Sequence, residues 1–320
     1  MKNTNSHPDI SVIVPIYNEE KNIPVLYKRL KDSVREISAS YELLFINDGS
    51  KDASIFELMK LTEQDANVRY INFSRNFGHQ IAVTAGLNYC QGDAVVIIDG
   101  DLQDPPELIP ELYAKFKEGF EVVYAKRKKR KGESFFKKVT AKLFYRILKK
   151  ITTTDIPLDT GDFRLIDKKV VRYLRLMPEQ NKFIRGQISW LGFNQTYVLY
   201  DRDSRKEGKT GYSVSKMFKF AMDGITGFSD KPLSFVTKLG FFISFLSFLA
   251  IIFAIYSHFI LQKTITGWTS LIIAVLFIGG IQLISIGIIG AYISRMNKNL
   301  LNRPLYIIES SNLKNQQYDH

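Results

Sequence analysis

The stretch VVIIDGDLQDPPE, residues 95–107, passes from four aliphatic residues into a segment rich in carboxylates. Its acidic residues are Asp99, Asp101, Asp104 and Glu107. A solvated turn with a helix starting at Pro105 and Pro106 accounts for the last two, because acidic residues favour the first turn of a helix. It does not account for Asp99 and Asp101, which stand one residue apart where a buried strand would end.

Short β-rich runs alternate with longer helical patterns on both sides of this stretch. The runs cover residues 10–16, 42–47, 68–73, 94–99 and 121–125, and the helical patterns lie near 20–37, 52–65, 79–90 and 106–118. This alternation predicts an α/β domain with a mainly parallel sheet, whose ligands bind beyond the carboxyl ends of the strands. Three such ends carry polar signatures, PIYNEE (15–20), NDGSKD (47–52) and DGDLQD (99–104). We expect them to converge on one cleft, as a nucleotide site requires.

Composition limits the classes of partner and of metal site. The 320 residues carry a net charge of +12, which favours an anionic partner such as nucleic acid, a phosphorylated substrate or an acidic membrane face. Cys90 is the single cysteine, so an intramolecular disulfide and a cysteine-based zinc site are excluded. Four scattered histidines make a histidine-rich metal site improbable. Residues 1–9 are polar, and we expect no cleavable signal.

Two long uncharged segments follow the α/β part. Residues 239–261 and 264–294 contain no Asp, Glu, Lys or Arg, and each is long enough to cross a bilayer core of about 30 Å. They predict two transmembrane helices, with a buried helical hairpin as the alternative. Cations before the first segment and after the second place both ends in the cytoplasm. The expected domains are a cytoplasmic α/β domain that includes the basic helices (1–230), a two-helix membrane region (231–296) and a cytoplasmic tail (297–320).

A basic region lies between these parts. Residues 126–131 read KRKKRK, and residues 133–150 place apolar side chains on one helical stripe with lysines opposite. This pattern predicts interfacial helices on anionic lipid. An ordinary surface helix with a solvated charge run is the alternative.

The paired carboxylates suit a hard divalent cation. A local turn can bring Asp99 and Asp101 to one ion, with Gln103 near enough to assist. Mg²⁺ and Mn²⁺ prefer such oxygen ligands and complete their shell with water and substrate phosphates. A metal-bound diphosphate is the expected occupant.

Several motifs taken together resemble one family. They are VPIYNEE, NDGSKD, SRNFGHQIAVTAGL, DGDLQDPPE, GDFRLIDKKVV and NKFIRGQISWLGF, followed by the two apolar segments. The set resembles family 2 glycosyltransferases, and more closely the bacterial polyprenyl-phosphate (bactoprenyl) glucosyltransferases, relatives of dolichol-phosphate mannose synthase. The resemblance runs from about residue 9 to residue 305, and it implies a GT-A type nucleotide-sugar-binding domain.

The resemblance also implies roles for individual residues. Asp99, Asp101 and Gln103 match the metal site, and Asp162, in GDFRL, matches an acid near the reacting centre, followed by Arg164. The resemblance thus implies Asp162, Asp101 and Arg164 as the catalytic residues. The nucleotide and its phosphates are assigned to Pro15, Tyr17, Glu19, Asp48, Arg127, Arg130, Arg202, Arg205 and Lys209, the last three on a closing loop.

Each role has a structural alternative. Glu19 could favour a helix N-terminus, and Asp48 could form a turn. Asp162 could pair with Arg164. The loop that carries Arg202, Arg205 and Lys209 could be a solvated surface loop.

The implied activity is inverting, metal-dependent transfer of a sugar from a UDP-sugar to polyprenyl (undecaprenyl) phosphate at the cytoplasmic face of the bacterial inner membrane. Glucose is the preferred sugar, with N-acetylglucosamine as the alternative. A processive polysaccharide synthase is a further reading, but the QxxRW motif of those enzymes is absent. The remaining reading is a non-catalytic, membrane-tethered nucleotide-binding protein. We expect anionic lipid but no nucleic acid as a partner, and the resemblance leaves open a homo-oligomer such as a tetramer.

Overall fold

The computed structural model describes residues 7–128, 160–201 and 267–313, together with residues 238–243, 245, 246, 248, 249, 252 and 256. Its described strands form one sheet in the order β7-β5-β6-β4-β1-β2-β3-β8. They are β1 (Ile10–Ile16), β2 (Tyr41–Asn47), β3 (Val68–Phe73), β4 (Ala94–Ile97), β5 (Val122–Arg127), β6 (Thr160–Asp167), β7 (Gln195–Tyr200) and β8 (Ile308–Ser311). Parallel pairing joins β1 to β2 and β4, β2 to β3, and β5 to β7, whereas the pairs β4·β6, β5·β6 and β3·β8 are antiparallel.

Helices cover both faces of the sheet. They are α1 (Ile23–Arg35), α2 (Ser54–Gln64), α3 (His79–Tyr89), α4 (Ile109–Lys117), α5 (Lys168–Arg175) and α6 (Ile184–Leu191), with a 3₁₀ turn at Pro106–Leu108 before α4. A further helix, α7 (Trp268–Leu300), belongs to a separate compact unit. Side chains alternate along each strand, so Val12 joins a core with α1, α2 and α4, and Ile13 joins one with α3, α5 and α6. Burial on both faces explains why the central strands read as continuous apolar runs.

The predicted α/β architecture with a mostly parallel sheet, of the GT-A type, is confirmed. All five predicted strands and all four predicted helices are present, with bounds shifted by a few residues. Strands β6, β7 and β8 and helices α5 and α6 were not predicted. The antiparallel strand β6 matters most, because it inserts between β4 and β5.

The chain divides into two compact units. The first contains β1–β8 and α1–α6, and the second contains α7. Strand β8 follows α7 in sequence but belongs to the first unit. The domain limits 1–230, 231–296 and 297–320 stay a prediction.

One helix of the described part, Phe277–Leu300, is long and apolar enough to cross a membrane. It overlaps the second predicted span. Two transmembrane helices are not confirmed, because the first predicted span is only partly described. The predicted interfacial helix at 133–150 also lies outside them.

Candidate active site

The three polar signatures lie side by side at the carboxyl edge of the sheet. Gly100 packs so closely on β1 that a Cβ there would lie 3.1 Å from the carbonyl oxygen of Pro15. The backbone N–H of Asn18 donates to Oγ of Ser50 at 2.9 Å, and the N–H of Lys51 donates to Oδ1 of Asn18 at 2.8 Å. The ends of β1, β2 and β4 therefore form one continuous edge.

Strand β6 brings a second acid to this edge. It runs antiparallel to β4 with Ile97 opposite Arg164, so the start of β6 lies next to the end of β4. Continued by two residues, this register places Asp162 beside Asp99. The end of β4 and the start of β6, more than 60 positions apart in the sequence, thus meet at the carboxyl edge of the sheet.

Helix α3 places His79 at the same edge of the sheet, next to Asp99 and Asp162. Its Gly86 lies directly on β1, where a Cβ would be 2.2 Å from Cγ2 of Ile13. This close approach allows α3 to cross the sheet, and His79 is the first residue of the helix. Nε2 of His79 lies 3.0 Å from Oδ2 of Asp162 and 3.5 Å from Oδ1 of Asp99.

Asp162 stands at the centre of a cluster of charged side chains. Nε of Arg185 donates to its Oδ1 at 2.8 Å, and Nη2 of Arg164 lies 3.6 Å from the same oxygen. Gln80 donates from Nε2 to Oδ2 at 3.3 Å and accepts from the N–H of Ile184 at 3.2 Å. The amide of Gln80 therefore ties α3 to the start of α6, where Arg185 lies.

The pKa values of the cluster diverge. Burial raises the pKa of Asp99 to about 6, reinforced by the neighbouring carboxylates and opposed by His79. Burial would also raise the pKa of Asp162, but Arg185 and His79 outweigh it and hold that pKa well below its usual range. Burial lowers the pKa of His79, yet Asp99 and Asp162 raise it to about 9. At neutral pH the cluster combines an ionised Asp162 with a protonated His79.

Arg164, predicted to be catalytic, is buried. It donates to the backbone carbonyls of Gly161 at 2.9 Å and Asp162 at 3.2 Å, and burial lowers its pKa to about 10. These bonds fix the start of β6, so Arg164 positions Asp162. A direct contact with substrate stays a prediction.

The donor set at Asp99 fits a divalent metal. Oδ1 of Asp99 is buried and accepts no hydrogen bond from any residue that the structure describes. Asp101 is half-buried, and its Oδ1 accepts from the backbone N–H of Gln103 at 3.1 Å. An alternative set exists, since ligand atoms of His79, Asp99 and Asp162 lie within 4.8 Å of one another. A buried carboxylate oxygen of this kind favours a cation beside it.

The segment predicted to hold the nucleoside has one exposed aromatic side chain. Tyr17 is exposed at the carboxyl edge, where a base could stack on its ring. Pro15 is buried within β1. Glu19 accepts from Nδ2 of Asn22 at 2.5 Å, and its carbonyl accepts from the N–H groups of Asn22 and Ile23 at the start of α1. Glu19 thus lies three residues before the N-cap of α1, and its contact with the nucleoside stays a prediction.

Asp48 is buried and holds the loop before α3. Its carboxylate accepts from Nδ2 of Asn76 at 2.9 Å and from the backbone N–H groups of Phe77 and Gly78 at 2.7 and 3.0 Å. Burial raises its pKa despite these bonds. The side chain therefore organises the loop that leads to His79, and its predicted contact with a base stays a prediction.

Arg127 lies close to Gly161, at the start of β6, and bonds to Tyr200. Its Nε donates to the hydroxyl of Tyr200 at 3.3 Å, and that hydroxyl donates to Oδ1 of Asp104 at 2.5 Å. A Cβ at Gly161 would lie 3.1 Å from Nη2 of Arg127. The guanidinium thus lies close to the backbone next to Asp162, where it can meet a phosphate. The other predicted phosphate ligands, Arg130, Arg202, Arg205 and Lys209, lie outside the described residues.

Three side chains of the site were not assigned from the sequence. His79 and Gln80 lie in SRNFGHQ, and Arg185 lies in NKFIRGQ. Both motifs belong to the set that resembles the family, and this resemblance is the sequence signal that could have identified the three side chains. Neither motif shows by spacing that it reaches Asp162.

Comparison with known proteins identifies the family. The family model described as "Glycosyl transferase family 2" matches residues 11–175. A protein of Bacillus subtilis (strain 168), "Uncharacterized glycosyltransferase YkcC", is 52% identical over 95% of this chain and 94% of its own. The "SfII prophage-derived bactoprenol glucosyl transferase" of Shigella flexneri is 41% identical over 96% and 99%.

A solved structure, that of S. aureus TarS 1-349 in complex with UDP-GlcNAc, is 19% identical over 68% of this chain and 65% of its own, with a TM-score of 0.47. The family model covers more than half of the chain, and the two relatives cover nearly all of it. This chain belongs to glycosyl transferase family 2 and is a glycosyltransferase.

Proposed function

We propose that this enzyme transfers a single sugar, preferentially glucose, from a UDP-sugar to polyprenyl phosphate at the cytoplasmic face of the membrane. The observation that carries the proposal is the meeting of Asp99 and Asp101 with the Asp162 cluster at one edge of the sheet. The bactoprenol glucosyl transferase of Shigella flexneri, alike along almost its whole length, supports the lipid acceptor and the glucose.

The donor would lie along the edge formed by β1, β2 and β4. Tyr17 offers a ring to the base, and Asn18 and Ser50 fix the backbone beside it. Asp99 and Asp101 would hold Mg²⁺ or Mn²⁺. When bound, that ion neutralises the charge that develops on the diphosphate leaving group.

The reaction would be a direct displacement at the anomeric carbon. A phosphate oxygen of the lipid forms the new bond, and the bond from the anomeric carbon to the UDP oxygen breaks, with UDP as the leaving group. Configuration inverts, so an α-linked donor gives a β-linked product. The acceptor is largely ionised at neutral pH, since the second pKa of such a phosphate is near 6. A strong general base is therefore unnecessary.

The described cluster suits this requirement. Asp162 is a weak base, because Arg185 and His79 hold its pKa well below the usual range. Its role is to fix the two cations, which then present positive charge to the phosphate groups that meet at this edge. Arg127 adds a third cation on the side of β5.

Membrane attachment would keep the cleft near its acceptor, whose charged head stays at the interface. Helix α7 supplies one candidate span, and the basic run at 126–131 supplies cations for anionic lipid. We propose a multi-pass topology with the catalytic unit and both termini in the cytoplasm.

The test is a panel of donors. Purified full-length protein is incubated with undecaprenyl phosphate, Mg²⁺ or Mn²⁺, and UDP-glucose, UDP-N-acetylglucosamine, UDP-galactose or GDP-mannose in turn. Mass spectrometry of the lipid fraction should show one added hexose with UDP-glucose. A polymeric product would indicate a processive synthase, and nucleotide binding without any product would indicate the non-catalytic reading.

A further inference from the structure

The C-terminal strand β8 closes the edge of the sheet next to the donor segment. It pairs antiparallel with β3, with Asn72 opposite Ser310, and the register shifts between Asn72 and Phe73. The ring of Tyr306 stacks on Phe73 with centroids 5.1 Å apart, and the N–H of Ser74 donates to the carbonyl of Ile307 at 3.1 Å. Residues 306–311 therefore hold the last residues of β3 and the first of the loop beyond.

A chain of hydrogen bonds runs from β8 across the carboxyl edge. Nδ2 of Asn72 donates to Oε2 of Glu309 at 2.9 Å, and Nδ2 of Asn47 donates to Oδ1 of Asn72 at 2.7 Å. Oγ of Ser50 donates to Oδ1 of Asn47 at 2.5 Å, and the N–H of Asn18 donates to Oγ of Ser50 at 2.9 Å. The chain thus connects four segments, and it ends beside Tyr17.

Every bond in this chain points the same way. Each group donates toward β8, and the last acceptor is a carboxylate. Bonds ordered in one direction reinforce one another, and an ionised acceptor makes the terminal bond stronger than a neutral one. The carboxylate of Glu309 also decides which way the amide of Asn72 faces, because only the NH₂ side can donate to it.

The far end of the chain needs this support. Asn18 has φ of 56°, a left-handed conformation that few residues other than glycine adopt and that asparagine tolerates through local hydrogen bonds of its side chain. Its backbone N–H is held by Oγ of Ser50, and its side-chain Oδ1 accepts from the N–H of Lys51. Asn47 and Asn72 are buried, so a donor that loses its acceptor there is costly.

We propose that Glu309 is a positioning residue for the donor-binding segment, acting through Asn72, Asn47 and Ser50 on Asn18. The inference rests on the proposed function for the identity of the ligand, a uridine diphosphate. Residues 308–311 lie beyond residues 11–175, so the strand that orders the nucleotide edge comes from outside the matched family domain.

Three variants of the full-length protein separate positioning from simple strand docking. Glu309→Ala removes the terminal acceptor, whereas Glu309→Gln retains a neutral acceptor oxygen. Asn312→Ala is the matched control, because Asn312 attaches the same strand to β3 through the N–H of Tyr70 and the carbonyl of Val68, outside the polar chain. The readouts are affinity for UDP with Mn²⁺ by calorimetry, and hydrogen exchange of peptides containing Asn18 and Lys51.

Glu309→Ala should raise the Kd for UDP about 3- to 10-fold and speed exchange at Asn18 and Lys51 by a similar factor. Glu309→Gln, which keeps an acceptor oxygen but loses the charge, should fall between wild type and Glu309→Ala in both, and Asn312→Ala should lower Tm while leaving the Kd for UDP unchanged. Equal effects of Glu309→Ala and Asn312→Ala on the Kd would overturn the inference. If the wild-type protein binds no UDP, the proposed function fails, and exchange alone decides: unchanged rates at Asn18 and Lys51 in Glu309→Ala overturn the positioning role.

Discussion

At the scale of single residues, the two carboxylates Asp99 and Asp162 differ in the cations that surround them. Asp99 and Asp162 face the same imidazole, and among the described residues Asp162 also bonds to Arg185. The pKa of Asp99 is therefore raised and that of Asp162 lowered, although both side chains are largely buried. This difference agrees with the proposal that Asp99 binds a metal ion, whereas Asp162 bonds to Arg185 and His79.

Asp101→Ala is expected to abolish transfer while the protein stays folded and membrane-inserted. Loss of one carboxylate from a metal that stabilises the leaving group costs several kcal/mol in the transition state, at least about 100-fold in kcat. The measurement is turnover across a titration of Mn²⁺. Substantial metal-dependent activity in a folded Asp101→Ala protein would contradict the metal assignment.

Arg185→Ala is expected to lower kcat about 10- to 100-fold, because Asp162 loses its closest cation and the phosphates lose a positive charge. Arg172→Ala is the matched control, since Arg172 is exposed on α5 and makes no contact with Asp162 among the described interactions. Steady-state kinetics with both substrates distinguishes the two. Equal kinetics for both variants would remove Arg185 from the site.

At the scale of elements, the sequence predicts β1 to β5 because each is a run of apolar or β-branched residues between turn signals. Strand β6 does not show this pattern, since TGDFRLID carries a charged Arg164 that is nevertheless buried, where it donates to the backbone carbonyls of Gly161 and Asp162. Strand β8, IESS, is short and polar because it covers an edge. Register, which sequence does not show, then places Asp162 beside Asp99.

Gly49→Ala tests the junction between the loops that follow β2 and β3. Gly49 has φ of 62°, and a Cβ there would lie 2.3 Å from the backbone carbon of Arg75, which cannot move as a flexible side chain would. We expect destabilisation of about 2–4 kcal/mol, seen as a lower Tm, because steric overlap adds to backbone strain. An unchanged Tm would show that the two loops do not pack as described.

Asp65→Asn tests the attachment of α1 to α2. Burial raises the pKa of Asp65, but bonds from Lys31 at 2.7 Å, from the N–H of Asn67 and from Tyr27 bring it below the usual value. A depressed pKa stabilises the fold above pH 4 or so, and this contribution is lost as pH falls through the folded value. The variant should lose about 1–2 kcal/mol at pH 7 and progressively less below about pH 4. A pH-independent difference in Tm would contradict this account.

At the scale of the whole molecule, topology must bring the donor and the lipid head to the same side of the membrane. Charge asymmetry predicts that the catalytic unit lies in the cytoplasm and that the connection near Thr264 lies outside. Single cysteines at Thr264 and at Lys60, an exposed position on α2, are placed in a Cys90-free background. A membrane-impermeant thiol reagent applied to intact cells should label position 264 and spare position 60. Labelling of position 60 alone would place the catalytic unit away from its donor.

Metal-dependent synthesis of the lipid-linked sugar examines donor, acceptor and ion together. Purified protein receives UDP-glucose and undecaprenyl phosphate, first with EDTA and then with excess Mn²⁺ or Mg²⁺, and the lipid fraction is analysed by mass spectrometry and anomeric NMR. We expect no product with EDTA, and β-linked glucosyl phosphoryl undecaprenol once the metal is restored. A folded protein that forms no glycosylated lipid from any nucleotide sugar, or that forms it equally well in EDTA, would contradict the proposed function.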